Sequence, residues 1–152
     1  MNINSAPTNE QLSVRFAYDS SSFAKAAGSL SDTEGFGPRY YLFCHSLELI
    51  LKSYILASGG DQAELKGLGH KLNDSLVRAK ALGFASPTTD FDLFVDWLDP
   101  FHRSHDFRYA TTGFKRVPTS EDLIRVLKAA HDQVEPVARA SYLRANPPVS
   151  QA

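Results

Sequence analysis

The chain alternates apolar helical stretches with short polar breaks, and its most apolar stretch runs from Pro38 to Ser58. Apolar residues cover most of that helix's circumference, which predicts a central, enclosed element. One polar stripe interrupts it: His45, Glu48 and Lys52 recur at i, i+3 and i+7 and share a narrow face. A buried charge must be paired or used, so the stripe is either an i,i+4 Glu-to-Lys support or the polar floor of a site. The break from Gly35 to Pro38 precedes this helix, and Gly59-Gly60 ends it.

The same periodicity predicts the remaining elements. A first helix runs from Pro7 or Thr8 to about Ala27, with Leu12, Phe16, Phe23 and Ala27 as its apolar edge and Gly28 closing it. Residues Asp61 to Gly69 read as a short polar connector. A third helix spans His70 to Gly83, with Leu72, Leu76, Ala79 and Leu82 near one face. Thr88 or Thr89 can cap a fourth, whose inner face is Phe91, Phe94, Val95 and Leu98, and Pro100 should kink or end it. From Arg103 to Pro118 the helical period disappears, which predicts a loop long enough to carry function. Thr119 or Ser120 opens a last helix with Leu123, Val126, Leu127 and Ala130 turned inward, bent or ended at Pro136. Residues 145–152 contain Pro147 and Pro148 and little to bury, so a disordered tail is expected. With no strand-period alternation and no repeat, the prediction is an all-α, up-and-down bundle of about five helices in one domain, residues 1–144.

Composition narrows the function classes. The 152 residues are 43% apolar and 22% charged, enough for a core without metals or disulfides. The formal net charge of -1 gives no global field toward nucleic acid or membrane, so any charged patch must be local. The lone Cys44 lies inside the apolar helix and is expected to be a buried core thiol. The first ten residues lack the basic and apolar regions of a leader, and no apolar run reaches a membrane span, so a soluble cytoplasmic protein is expected.

The local chemistry concentrates at His102-Arg-Ser-His-Asp-Phe-Arg-Tyr109, where His102, Arg103, His105, Arg108 and Tyr109 offer phosphate donors interleaved with rings. That mixture suits a nucleotide or RNA, and equally a loop fastened by an Arg-to-Asp pair with Phe107 and Tyr109 plugged into the core. His102 and His105, with Asp106, His70 and His45, only weakly suggest metal, because no second ligand pair stands at diagnostic spacing; no metal and no cofactor are expected. Ser104 and Cys44 lack an activating motif for nucleophilic catalysis. His70, after Gly67-Leu-Gly69, can cap the next helix or turn toward a neighbour. Lys66, Lys71, Arg78 and Lys80 read as a solvated face.

Three segments, His45-Ser-Leu-Glu48-Leu-Ile-Leu-Lys52-Ser, Gly69-His70-Lys-Leu-Asn-Asp-Ser-Leu76 and Phe107-Arg108-Tyr109, occur in an order that resembles HEPN domains, the small helical nucleotide-binding domains of higher eukaryotes and prokaryotes. The resemblance covers about residues 38 to 110. It implies an up-and-down bundle, a homodimer, and a nucleotide- or RNA-binding role in a bacterial defence or toxin-antitoxin context, with a nucleotidyltransferase-type partner protein. Ribonuclease members carry an arginine followed after four to six residues by a histidine, and two stretches here have that spacing, Arg39 to His45 and Arg125 to His131. Six helical positions turn about 240°, which points such a pair apart within one helix. The asparagine or aspartate that often follows the arginine is replaced by Tyr40 and Val126. The alternatives are therefore a metal-independent ribonuclease or toxin using those pairs, or a non-catalytic assembly protein. In the leading reading, Glu48, Lys52, His70, Arg108 and Tyr109 converge as a polar network, with His102, Arg103 and His105 beside it.

Overall fold

A computed structural model describes residues 5–31, 35–108 and 116–149. The described residues form six helices and no strand: α1 (Asn9–Ser29), α2 (Phe36–Ala57), α3 (Gln62–Leu68), α4 (Leu72–Ala81), α5 (Phe91–Arg103) and α6 (Ser120–Ala145). Tyr109 and the Thr111 to Gly113 stretch lie outside the described residues. No helix among them is long and apolar enough to cross a membrane.

The all-α expectation holds, with one element more than expected. The stretch read as a polar connector is α3, nucleated by the Asp61 side chain, which accepts from the Glu64 amide at 2.8 Å and supplies the missing N-terminal acceptor. Thr8 caps α1 through a full capping box with Gln11, and Thr119 caps α6 by accepting from the Asp122 amide. Gly28 does not end α1, which continues to Ser29. Neither Thr88 nor Thr89 caps α5; its first flanking residue is Asp90, whose carboxylate takes the Thr88 hydroxyl and the Arg125 guanidinium instead. Pro100 and Pro136 interrupt neither α5 nor α6. Both prolines are exposed, so water reaches the carbonyls their missing N–H groups leave free.

α2 is the central helix: Phe43, Cys44, Leu47, Ile50, Leu51 and Ile55 are fully enclosed. The predicted inner faces of α5 and α6 are all buried, as are Leu72, Leu76 and Ala79 of α4, while Leu82 is half-buried.

The apolar edge expected for α1 is displaced. Its buried positions are Ser13, Ala17, Ser20 and Ala27, with Leu12 and Phe16 only partly covered beside them. Small residues let α1 and α2 approach closely, and hydroxyls then reach across to backbone carbonyls. Ser13 donates to the Ser53 carbonyl at 2.8 Å and Ser53 to the Ser13 carbonyl at 2.7 Å. Seven residues along each helix, Ser20 and Ser46 repeat the exchange at 2.7 Å in both directions. These reciprocal pairs make α1 and α2 antiparallel and fix their register. A hydroxyl that is fully bonded costs little to bury, so serine can replace an apolar residue wherever two backbones come close.

Candidate functional site

Glu48 sits on α2 at 3% exposure, the position at which an unpaired carboxylate would be most costly. Lys52, one turn on, donates to Glu48 Oε1 at 2.6 Å and to the Gly69 carbonyl at 2.8 Å. The second bond anchors the turn between α3 and α4 against α2, and that turn carries His70. His70 Nδ1 lies 3.0 Å from Glu48 Oε2, and His102 Nε2, reaching in from the last turn of α5, lies 2.6 Å from the same oxygen.

Burial alone would raise the Glu48 carboxyl, but the hydrogen bond from His102 and the charge and hydrogen bond of Lys52, with His70 adding to them, hold it well below the usual carboxylate range. An ionised carboxylate only accepts, so each imidazole must donate its N–H: His70 from Nδ1 and His102 from Nε2. One buried anion thus sets the tautomer and orientation of two rings. His102 is enclosed, whereas the His70 side chain is 46% exposed and presents its other edge outward.

His102 and Arg103 are helical, although Pro100 is expected to kink or end the helix and a loop to begin at Arg103, because α5 continues through Pro100. The helix then ends in a Schellman turn: the Asp106 amide donates to the Phe101 carbonyl at 2.9 Å and the His105 amide to the His102 carbonyl at 3.2 Å. The left-handed position of that motif, usually glycine, is held by His105 at φ 60°. This places the His105 ring 5.0 Å from that of His70. Non-glycine residues in this conformation cluster at functional positions. Burial first, and the neighbouring His70 and Arg108 next, lower the His105 imidazole from its ordinary value.

Arg103 pairs with Asp99 at 3.1 Å. Asp99 is itself buried and accepts from the Asn73 amide at 3.1 Å, capping α4 from another helix, since Lys71 offers α4 no side-chain cap. The sequence reading missed Asp99; the signal was present in a helix whose preceding residue is a poor cap. His70 caps nothing and takes the neighbour option. Phe107 is buried against Phe36, Tyr40 and Phe101, while Arg108 lies 5.8 Å over the Tyr41 ring. The expected Arg-to-Asp fastening is thus Arg103 to Asp99, an aspartate outside the eight-residue segment.

The other candidates lie elsewhere. His45 departs from the stripe it shares with Glu48 and Lys52: its ring stacks on Tyr41 at 5.9 Å and meets Phe23 edge-on at 4.6 Å, and burial lowers its imidazole. The Arg39 guanidinium donates to the Leu30 carbonyl. Arg125 is held by Asp90 and Asp122, while His131 Nε2 lies 2.7 Å from the Ser20 hydroxyl. The single Ser20 proton goes to the Ser46 carbonyl, so His131 is the donor there, and burial pushes it down to about 4. Each member of the two Arg–His pairs therefore has its own partners. Cys44 is enclosed, with its thiol pushed up by burial and by the Glu48 charge, which suits a core thiol. Arg78 pairs with Glu64 and Lys80 with Asp92, so the basic run is a set of surface ion pairs, while Lys66 is exposed.

Beside the Glu48 cluster a cleft of about 300 Å³ opens between α1 and α3. Leu12, Phe16 and Leu65 line it together with Lys52, Lys66 and His70. Apolar side chains and cationic donors in one cleft can hold a flat, uncharged group and an attached anion at once. The same cluster also brings Glu48, His70 and His102 donor atoms within 4.8 Å of one another, a set chemically able to hold a metal.

Fold and site together define an all-α bundle whose central helix carries a buried carboxylate shared by one lysine and two histidines. Comparison of the chain with protein-family models, with curated proteins and with solved structures finds no match.

Proposed function

We propose that this chain is a HEPN-like module that binds a nucleotide or single-stranded RNA at the cleft beside Glu48. The observation that carries this reading is the cleft itself, where Lys52 and His70, both held by one buried carboxylate, line one opening with Leu12, Phe16 and Leu65. A base fits the apolar side chains of the cleft and a phosphate takes donors from Lys66 and His70, with Arg103 and Arg108, which follow His102 in the chain, as further phosphate donors. Pre-orientation by Glu48 reduces the entropy lost when the ligand is gripped. The homodimer implied by the resemblance has little of α2 to use, since most of its apolar residues are buried inside the protomer and Phe36 at its start is exposed; sedimentation velocity tests it.

The binding test is anisotropy of a labelled single-stranded RNA, with ATP as competitor, at low salt and in chelator. Arg103→Ala combined with Arg108→Ala is expected to weaken binding about tenfold or more, and added salt to weaken it in the parent protein. Absence of binding by both ligands, or a double variant indistinguishable from the parent, refutes the proposal.

A further inference from the structure

We propose that Glu48, His70 and His102 form a mononuclear site for a borderline divalent transition-metal ion of the zinc class. The proposal does not depend on the nucleotide reading. Its donor atoms are Glu48 Oε2, His70 Nδ1 and His102 Nε2, all within 4.8 Å of one another, with the carboxylate oxygen 3.0 and 2.6 Å from the two nitrogens.

Zinc bonds to nitrogen and carboxylate oxygen are about 2.0 to 2.2 Å long, which places neighbouring tetrahedral donors roughly 3.3 to 3.5 Å apart. The oxygen must therefore withdraw slightly from both rings, and the two nitrogens must close to that spacing. His70 is the ligand whose side chain can adjust, because it is 46% exposed whereas His102 is enclosed. On binding, each imidazole presents a lone pair and carries its proton on the opposite ring nitrogen.

Surrounding groups favour this use. Lys52 holds the other carboxylate oxygen and is itself fixed on the Gly69 carbonyl, so Oε2 is left as a single oriented donor, the role outer partners play at metal centres. Two imidazoles with one carboxylate select zinc, cobalt or nickel over calcium and magnesium, which require several oxygen donors. His105, turned toward His70 by its left-handed backbone, stands with its ring 5.0 Å from that of His70, outside the three-donor set. The three core ligands come from α2, the α3–α4 turn and α5, so an ion would staple three separate elements.

The experiment titrates Zn2+ into untagged, chelator-stripped full-length protein by calorimetry, without nucleotide, and follows thermal unfolding in parallel. One ion per chain is expected, with a midpoint rise of about 5 °C or more at a hundredfold excess over Kd. Co2+ should give visible absorption bands of a low-coordinate site. His70→Ala, at an exposed position that leaves the fold intact, should weaken binding at least about tenfold, and His105→Ala less. Should His102→Ala fail to fold, the His70→Ala result decides. Absence of stoichiometric binding at 100 µM ion (about −5.5 kcal/mol), or binding unchanged in His70→Ala, overturns the proposal. RNA binding measured in chelator is scored separately, so either reading can fail alone.

Discussion

Replacing Glu48 by alanine should be the most damaging single substitution in the polar cluster. The carboxylate accepts from Lys52, His70 and His102 at 2.6, 3.0 and 2.6 Å, and its removal leaves the 11%-exposed Lys52 side chain with only the Gly69 carbonyl and the enclosed His102 without its acceptor. Breaking a buried pair in this way costs about 3 to 5 kcal/mol, because the surviving charge remains buried and uncompensated. For a domain of this length that corresponds to a fall in melting midpoint of roughly 6 to 20 °C. The assay is urea and thermal unfolding followed by circular dichroism at pH 7. A second variant separates the orphaned lysine charge from the orphaned imidazole: Glu48→Leu with Lys52→Met removes both charges at similar volume and should recover the Lys52 share of the loss, while His102 still lacks its acceptor. A cost below about 1 kcal/mol for Glu48→Ala, or a double variant no better than the single one, would refute the claim that the pair is buried and mutually dependent.

Three further outcomes follow from other parts of the bundle. The His131 imidazole is pushed down to about 4 by burial, so the unfolded chain takes up its proton first. Stability should be full above pH 6.5 and fall as pH drops from 6.5 toward 4, by at most about 3 kcal/mol, and His131→Gln should flatten that window in unfolding titrations. His105→Gly should raise stability by about 1 kcal/mol by relieving the left-handed backbone while weakening RNA binding; unchanged stability would contradict the strain. Ser46→Leu should cost about 2 to 3 kcal/mol by wedging α1 from α2, whereas Ser46→Ala should cost less than about 1, and equal effects would contradict the close approach.

The helices whose apolar faces follow a strict period were legible from the residues alone: Phe91, Phe94, Val95 and Leu98, and likewise Leu123, Val126, Leu127 and Ala130, are all inside. The α1 face was not, because hydrophobicity marks Leu12 and Phe16 whereas proximity to α2 selects Ser13 and Ser20, whose polarity is cancelled by bonds to a helix some 26 to 40 residues away. Such bonds have no local signature. The Glu48 to Lys52 pair could be read from its i,i+4 spacing, and the proximity of His70 was suggested by the resemblance. What no spacing rule supplied was the separation of His102 from His105, since it depends on α5 running through Pro100 and then reversing at a left-handed histidine. Asp99 was hidden for a related reason, as it caps a helix other than its own.

The most direct test of the Glu48-centred site reads the five histidine ring signals by 1H–13C correlation while single-stranded RNA is titrated at low salt in chelator. His70 and His105 are predicted to shift saturably, because their rings line the exposed side of the cluster, while His131, held by Ser20 away from it, stays unchanged. Unmoved His70 and His105 signals at saturating RNA, or a shift of equal size at His131, would contradict a binding site at Glu48.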